Sequence, residues 1–297
     1  MRIIAYIRLL SFGLVLVSLS AGCGTVPIQN IQDFTTGVTA AQKQTTLAFQ
    51  AVTDLTSDDV IDYAAAQPTL TDENFFLVLD PKAEAAWDRS FLALEKYGQD
   101  LVVLTSPDLT KDYKDYSVSL AEEIKKTGQV LQGANLVTSA PEPSAVLATA
   151  FTKLGDLLLR AKAQADAKRI VSATDPAVQQ ILFEMAADIG DSDGTGIRGT
   201  VHAHWQQRKG KCQVAFTKSD DAGKRKLAVQ FAGLISQQQA QDAVLESLHR
   251  SLLALASAHR ALAKGEPFSM AASIAFIKNE VQDTEQLYSK FKNSSED

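Results

Sequence analysis

Periodicity assigns this chain to the all-α class, as an elongated antiparallel helical bundle of about six helices. Apolar and small residues recur at alternating spacings of three and four along most of the chain, which places them on one face of a helix. Runs that alternate apolar and polar residues, as half-buried strands require, are scarce. From Leu227 to Leu262 the apolar positions keep a heptad rhythm, which predicts one long helix near residues 222–264. A hydrophobic share of 45% with 22% charged residues is enough to build a core and excludes wholesale disorder.

The first element is not part of the bundle. Arg2 and Arg8 precede an uncharged apolar run from Leu9 to Leu19, and small residues then lead to Cys23. That order is the order of a secretory signal peptide. The tetrapeptide Ser20-Ala21-Gly22-Cys23 resembles the lipobox of bacterial lipoproteins, although the family usually carries Leu where this chain has Ser20. The resemblance implies removal of residues 1–22, a diacylglyceryl group on the Cys23 thiol, and anchorage in a bacterial cell envelope. Gly24 after the cysteine implies the outer membrane, facing the periplasm. Residues 23–30 then form a short lipidated tether. The seven residues after Cys23 reach at most about 25 Å, which holds the body close to the bilayer.

Removing residues 1–22 takes away two arginines and no acids, so a formal charge of −6 becomes −8. That average gives no electrostatic footprint for nucleic acid. With Cys23 lipidated, Cys212 stands alone and no intramolecular disulfide forms.

The bundle is expected over residues 31–297. Ile31, Phe34, Val38, Ala41, Ala48, Val52 and Leu55 predict a first helix to about Thr56, with Ser57-Asp58-Asp59 capping a short continuation. Gln67-Pro68 breaks it. Phe75 to Leu79 follows as the least polar stretch of the mature chain, either a core-plugging connection or a membrane-touching finger. A second helix is expected from Pro81 to Thr105, and a third from Tyr113 to about Leu131. Ser139 to Pro143 marks a possible subdomain boundary near 138–144. A fourth helix carries Leu147 to Ala165. Thr174-Asp175-Pro176 predicts a fresh start, with proline at its favoured first position. Gly190 to Gly199 reads as a glycine-rich loop, Trp205 to Phe216 as a weak helix, and Met270 to Phe291 as the last one.

Few constellations carry chemistry. Gly190-Asp191-Ser192-Asp193-Gly194 spells G-x-S-x-G, but a nucleophile elbow needs a strand before the serine, and Val178, Ile181, Leu182 and Met185 have helical spacing. As a calcium loop the same stretch places Ile189 and Thr200 at the first and twelfth ligand positions, where carboxylates belong. His202 and His204 point apart on a helix. Gln238, Gln241 and His259 fall on the seam of the long helix, and such a polar layer either fixes register or lines a small-molecule site. The expectation is therefore a protein that acts by binding rather than catalysis, with no cofactor and no metal. It is held to a membrane through its N-terminal lipid and presents helix faces to an envelope protein partner. The alternatives are a small-molecule or metal-sensing bundle around Gln238, Gln241 and His259, and a helical protein that inserts Phe75–Leu79 into a membrane.

Overall fold

The computed structural model describes residues 26–71, 79, 81–105, 113–131, 143–161 and 167–296. Eight helices and no strand occur among them: α1 (Ile28–Ala65), α2 (Pro81–Thr105), α3 (Tyr113–Leu131), α4 (Pro143–Ala161), α5 (Ala167–Ile189), α6 (Gly196–Lys218), α7 (Asp221–Lys264) and α8 (Pro267–Glu296). The all-helical bundle is as periodicity predicts; the count of about six is too low. Cys23 and the rest of residues 1–25, Phe75 to Val78, and residues 138–142 of the expected boundary lie outside the described residues.

The spine is α7, 44 residues and about 66 Å long at 1.5 Å per residue. α1 runs antiparallel along it. The Phe34 ring meets His259 with centroids 5.2 Å apart, Gln44 Nε2 donates to Ser247 Oγ at 2.8 Å, and Gln241 Nε2 donates to the Ala51 carbonyl at 2.7 Å. α5 covers another side, where Gln179 Nε2 donates to the Ala256 carbonyl. α8 doubles back at Gly265, whose φ of 74° suits glycine. The Glu266 N–H donates to the Ala261 carbonyl at 2.8 Å, closing a Schellman turn, and Pro267 opens the next helix at its preferred place. α2 packs on α1 through Trp87 edge-on to Phe49. A single core of buried side chains runs through all these contacts, from Val26 to Phe291.

Four boundaries differ from expectation. α1 runs unbroken to Ala65, and Val26 ahead of it is already buried, so the body begins nearer to Cys23 than Ile31. α5 passes straight through Pro176. Ile170, Thr174, Ala177, Ile181 and Met185 keep one buried stripe on both sides of the proline. Ser172, whose carbonyl loses its helical donor, and Pro176 itself are exposed, so the missing bond falls on the solvent-facing side of the helix rather than in the core. The glycine-rich loop is shorter than expected, because Gly196 and Gly199 belong to α6. Finally, α6 is a full helix of 23 residues. Leu79, at the end of the Phe75–Leu79 stretch, is buried. Among the described residues no helix is long and apolar enough to cross a membrane.

α3 and α4 approach through glycine. A Cβ on Gly155 would stand 2.7 Å from the Ala121 carbonyl oxygen, and one on Gly128 would stand 2.6 Å from that of Ala148. Backbone cannot swing aside as a side chain can, so Gly155→Ala should cost about 1–3 kcal/mol despite the better helix propensity of alanine. Gly233 of α7 faces open space. There the same change should stabilise by roughly 0.5–1 kcal/mol. Urea titration of the two variants beside the parent checks both signs.

Candidate functional site

The three seam residues of α7 do not meet. Gln241 is fully buried and committed at both ends: Trp205 Nε1 donates to its Oε1 at 2.6 Å, and its own Nε2 serves Ala51. Gln238, one turn before it, accepts from Lys209 Nζ at 2.7 Å and sets Nε2 3.2 Å from His202 Nδ1. His259 lies 18 residues beyond Gln241, about 27 Å along the axis.

His259 is the centre of a buried relay. Its Nδ1 lies 2.9 Å from Asp175 Oδ1, its Nε2 lies 2.9 Å from the Tyr97 hydroxyl, and that hydroxyl lies 2.6 Å from Thr174 Oγ1. Burial pushes the imidazole below its ordinary pKa, against the pull of Asp175. Burial alone would raise the Asp175 carboxyl, but hydrogen bonds from His259 and Gln179 and the Arg260 charge hold it low. The neutral tautomer with a proton on Nδ1 satisfies every member: Nδ1–H donates to Asp175, and the tyrosine donates to Nε2. An Asp–His–hydroxyl order resembles an activated nucleophile. Here, however, burial drives the tyrosine pKa upward, and Tyr97 and His259 are inaccessible to solvent.

The Gly190 loop follows a helix, not a strand, and Ser192 is exposed on it with its hydroxyl 3.4 Å from Thr195 Oγ1. Asp191 accepts from Thr195 Oγ1 at 2.9 Å. His202 faces Asp193 at 3.5 Å while His204 faces Asp59 at 3.4 Å, so the two histidines point to different neighbours. Just ahead of the loop, the Asp188 carboxyl is buried, and neither oxygen has a hydrogen-bond partner among the described residues. Burial, with the nearby Glu184 charge, pushes its pKa up to about 7.

The most open chemistry lies elsewhere, on the hairpin made by the second half of α6 and the first half of α7. From Gln206 to Ala240 only Cys212 is buried. These helices leave the bundle and rest chiefly on each other, forming an arm. Arg208 fixes its base: Nε donates to Asp59 Oδ1 at 3.1 Å, Nη2 donates to the Leu55 carbonyl, and the guanidinium lies over the Trp205 ring. A groove of about 500 Å³ on one side is lined by Arg208, Lys211, Ala215 and Gln230 with Asp59 and Ile61 of α1. A second groove, of about 540 Å³, is lined by Phe216, Thr217, Ala228 and Phe231. Cys212 and Leu227 form the floor between them, with the thiol 3.5 Å from the Leu227 carbonyl.

The arm also separates charge. Residues 206–240 hold seven Lys or Arg against Asp220 and Asp221, a net charge of +5, which leaves −11 for the rest of a chain whose total is −6. An average over the whole chain conceals this; a count over 35 residues finds it. No protein-family model matches the chain, and neither a curated protein nor a solved structure does.

Asp188 supplies a pH test of the buried carboxyl. Its folded pKa is raised, so the folded state keeps a proton that the unfolded chain releases between about pH 4 and 7. Stability from this group therefore falls as pH rises through that window. Asp188→Asn should leave stability at pH 4 nearly unchanged and raise it by on the order of a few kcal/mol at pH 8. Urea melts of variant and parent at the two values isolate this group from His259, whose depressed pKa works in the opposite direction.

Proposed function

We propose that this is a lipid-anchored protein of the bacterial envelope that works by binding, as an adaptor or structural helical module. The observation that carries the reading is Cys23, placed after an apolar leader and small residues and only five positions before α1 begins at Ile28. Five residues span at most about 18 Å, so the bundle would stand against the bilayer.

The packing of that end agrees with such a position. Phe34 near the start of α1 touches His259, six residues before the Gly265 turn, so the α7–α8 corner and the beginning of α1 share one end of the bundle. Phe268 at this corner is 89% exposed and Ile28 is 37% exposed. A phenylalanine left in water gains by resting in the headgroup region. Binding is favoured over catalysis because the Asp175–His259–Tyr97 array is sealed inside the core, whereas the arm offers open grooves and a concentrated charge.

Cys23→Ser should leave the helical body folded, by circular dichroism, and move it from the membrane to the soluble fraction on cell fractionation. Retention in the membrane fraction would defeat the lipid-anchor reading.

A further inference from the structure

We propose that the α6–α7 arm is a second contact with lipid, taking the surface of an anionic bilayer. The inference goes beyond the anchor reading and stands whether or not Cys23 is acylated.

Charge complementarity comes first. The arm carries +5 by sequence, or +4 once Asp59 of α1, paired with Arg208 at its base, is counted with it, and the remaining chain is strongly acidic, so an anionic surface attracts the arm and repels the rest. The two acids on the arm are outnumbered at the tip, although Asp221 lies 4.0 Å from Lys224 Nζ. Asp220 is the N-cap, accepting from the Gly223 N–H at 2.9 Å, and Asp221 sits in the first turn. Lys218 precedes them and Lys224-Arg225-Lys226 follows, so cations surround the turn.

Exposed apolar side chains then choose among anionic partners. Val214 is 56% exposed with Lys211 and Lys218 one turn away on its own face, and Val229 is 70% exposed with Arg225 and Lys226 beside it in the same way. Phe216 and Ile235 are also exposed. Aliphatic side chains interleaved with lysine and arginine gain nothing from a nucleic-acid backbone. A bilayer offers both parts at one surface, phosphate for the cations and acyl chains just below. The arm is also free to reach it. A Cβ on Gly210 or Gly233 would meet nothing within 4 Å. The arm's base lies at Leu55 and Asp59 of α1, about 40 Å along that helix from Ile28. The arm therefore contacts lipid at the end of the molecule opposite the start of the folded chain.

The test uses Phe216→Trp in the full chain. Trp87 and Trp205 are 2% and 1% exposed and stay shielded from lipid, so quenching by brominated acyl chains reports the arm. In vesicles of phosphatidylcholine with about a third phosphatidylglycerol, emission should be quenched in this variant and not in the parent. It should recover at about 0.5 M salt. Adding Lys211→Glu, Lys218→Glu and Lys226→Glu turns the arm from +5 to −1. That set should weaken the arm's partition on the order of a hundredfold, with circular dichroism unchanged. Absence of quenching in anionic vesicles that float with the protein would overturn the proposal. So would equal quenching in phosphatidylcholine alone, or arm-dependent capture of DNA or an acidic protein without quenching. The anchor reading fails separately, by retention of Cys23→Ser in the membrane fraction, and neither result decides the other.

Discussion

The rest of the bundle depends on the need to satisfy three of the four buried polar side chains of α7, Gln241, Ser247 and His259; the hydroxyl of the fourth, Ser251, has no hydrogen-bond partner among the described residues. Gln241 is completed by Trp205 of α6 and the Ala51 carbonyl of α1. Ser247 is completed by Gln44 of α1 and by Glu280 and Thr284 of α8. His259 is completed by Tyr97 of α2 and Asp175 of α5. A made hydrogen bond contributes only about 0.5–1.5 kcal/mol net, but a buried donor left unmade costs about 1–3 kcal/mol. A one-turn slip of any neighbour would strand these groups, while an apolar seam of Leu and Ala would tolerate it far better. The polar layers therefore act on register more than on total stability, as a polar position does in a coiled coil.

That constraint also says where the bundle stops. Gln241 is the last fully buried polar position toward the N-terminus of α7, and α7 continues for another 20 residues. There the seam narrows to Leu227, Phe231 and Leu234 against α6, and none of the three is fully buried. A heptad rhythm can thus persist in sequence while its partners change from a whole bundle to one helix. The arm is the continuation of the spine past its neighbours. Its rigidity at the base comes from Arg208, a guanidinium held by carboxylate, carbonyl and indole together.

Legibility in sequence followed the same physics. α2 and α7 were readable nearly to the residue, because Pro81, Ser106-Pro107 and Gly265-Glu266-Pro267 punctuate strong apolar stripes. Pro176 misled, because local preference opposes a helix there while burial of Ile170 and Thr174 on one side and Ala177 and Ile181 on the other holds it. α6 was faint for a different reason: half of it has no bundle to face, so it carries no full stripe. Gln238, Gln241 and His259 were visible as a polar seam, but their separation into distinct networks depends on Trp205, Lys209 and Tyr97, whose partners are up to 162 residues away in sequence. Gly128 and Gly155 gave no signal of close approach, since one helix alone does not reveal which backbone will press on it.

The separation of charge raises a question that averages hide. A chain of net charge −6 would be expected to avoid anionic surfaces, yet its opposing ends are not equivalent. The corner near the start of α1 exposes Phe268 close in sequence to Arg260 and Lys264, whereas the arm exposes Val214 and Val229 among a larger set of lysines and arginines. The first suits lipid that is already held by another force, because apolar contact alone is short-ranged. The second suits a surface that must be found from a distance, because Coulomb attraction acts over about 8–10 Å at physiological salt while apolar contact acts only on touching. An acidic body between them then has a physical use. If both proposed lipid contacts hold, it would keep the middle of the molecule off anionic lipid, with contact confined to the ends and the roughly 66 Å spine of α7 setting the distance between them.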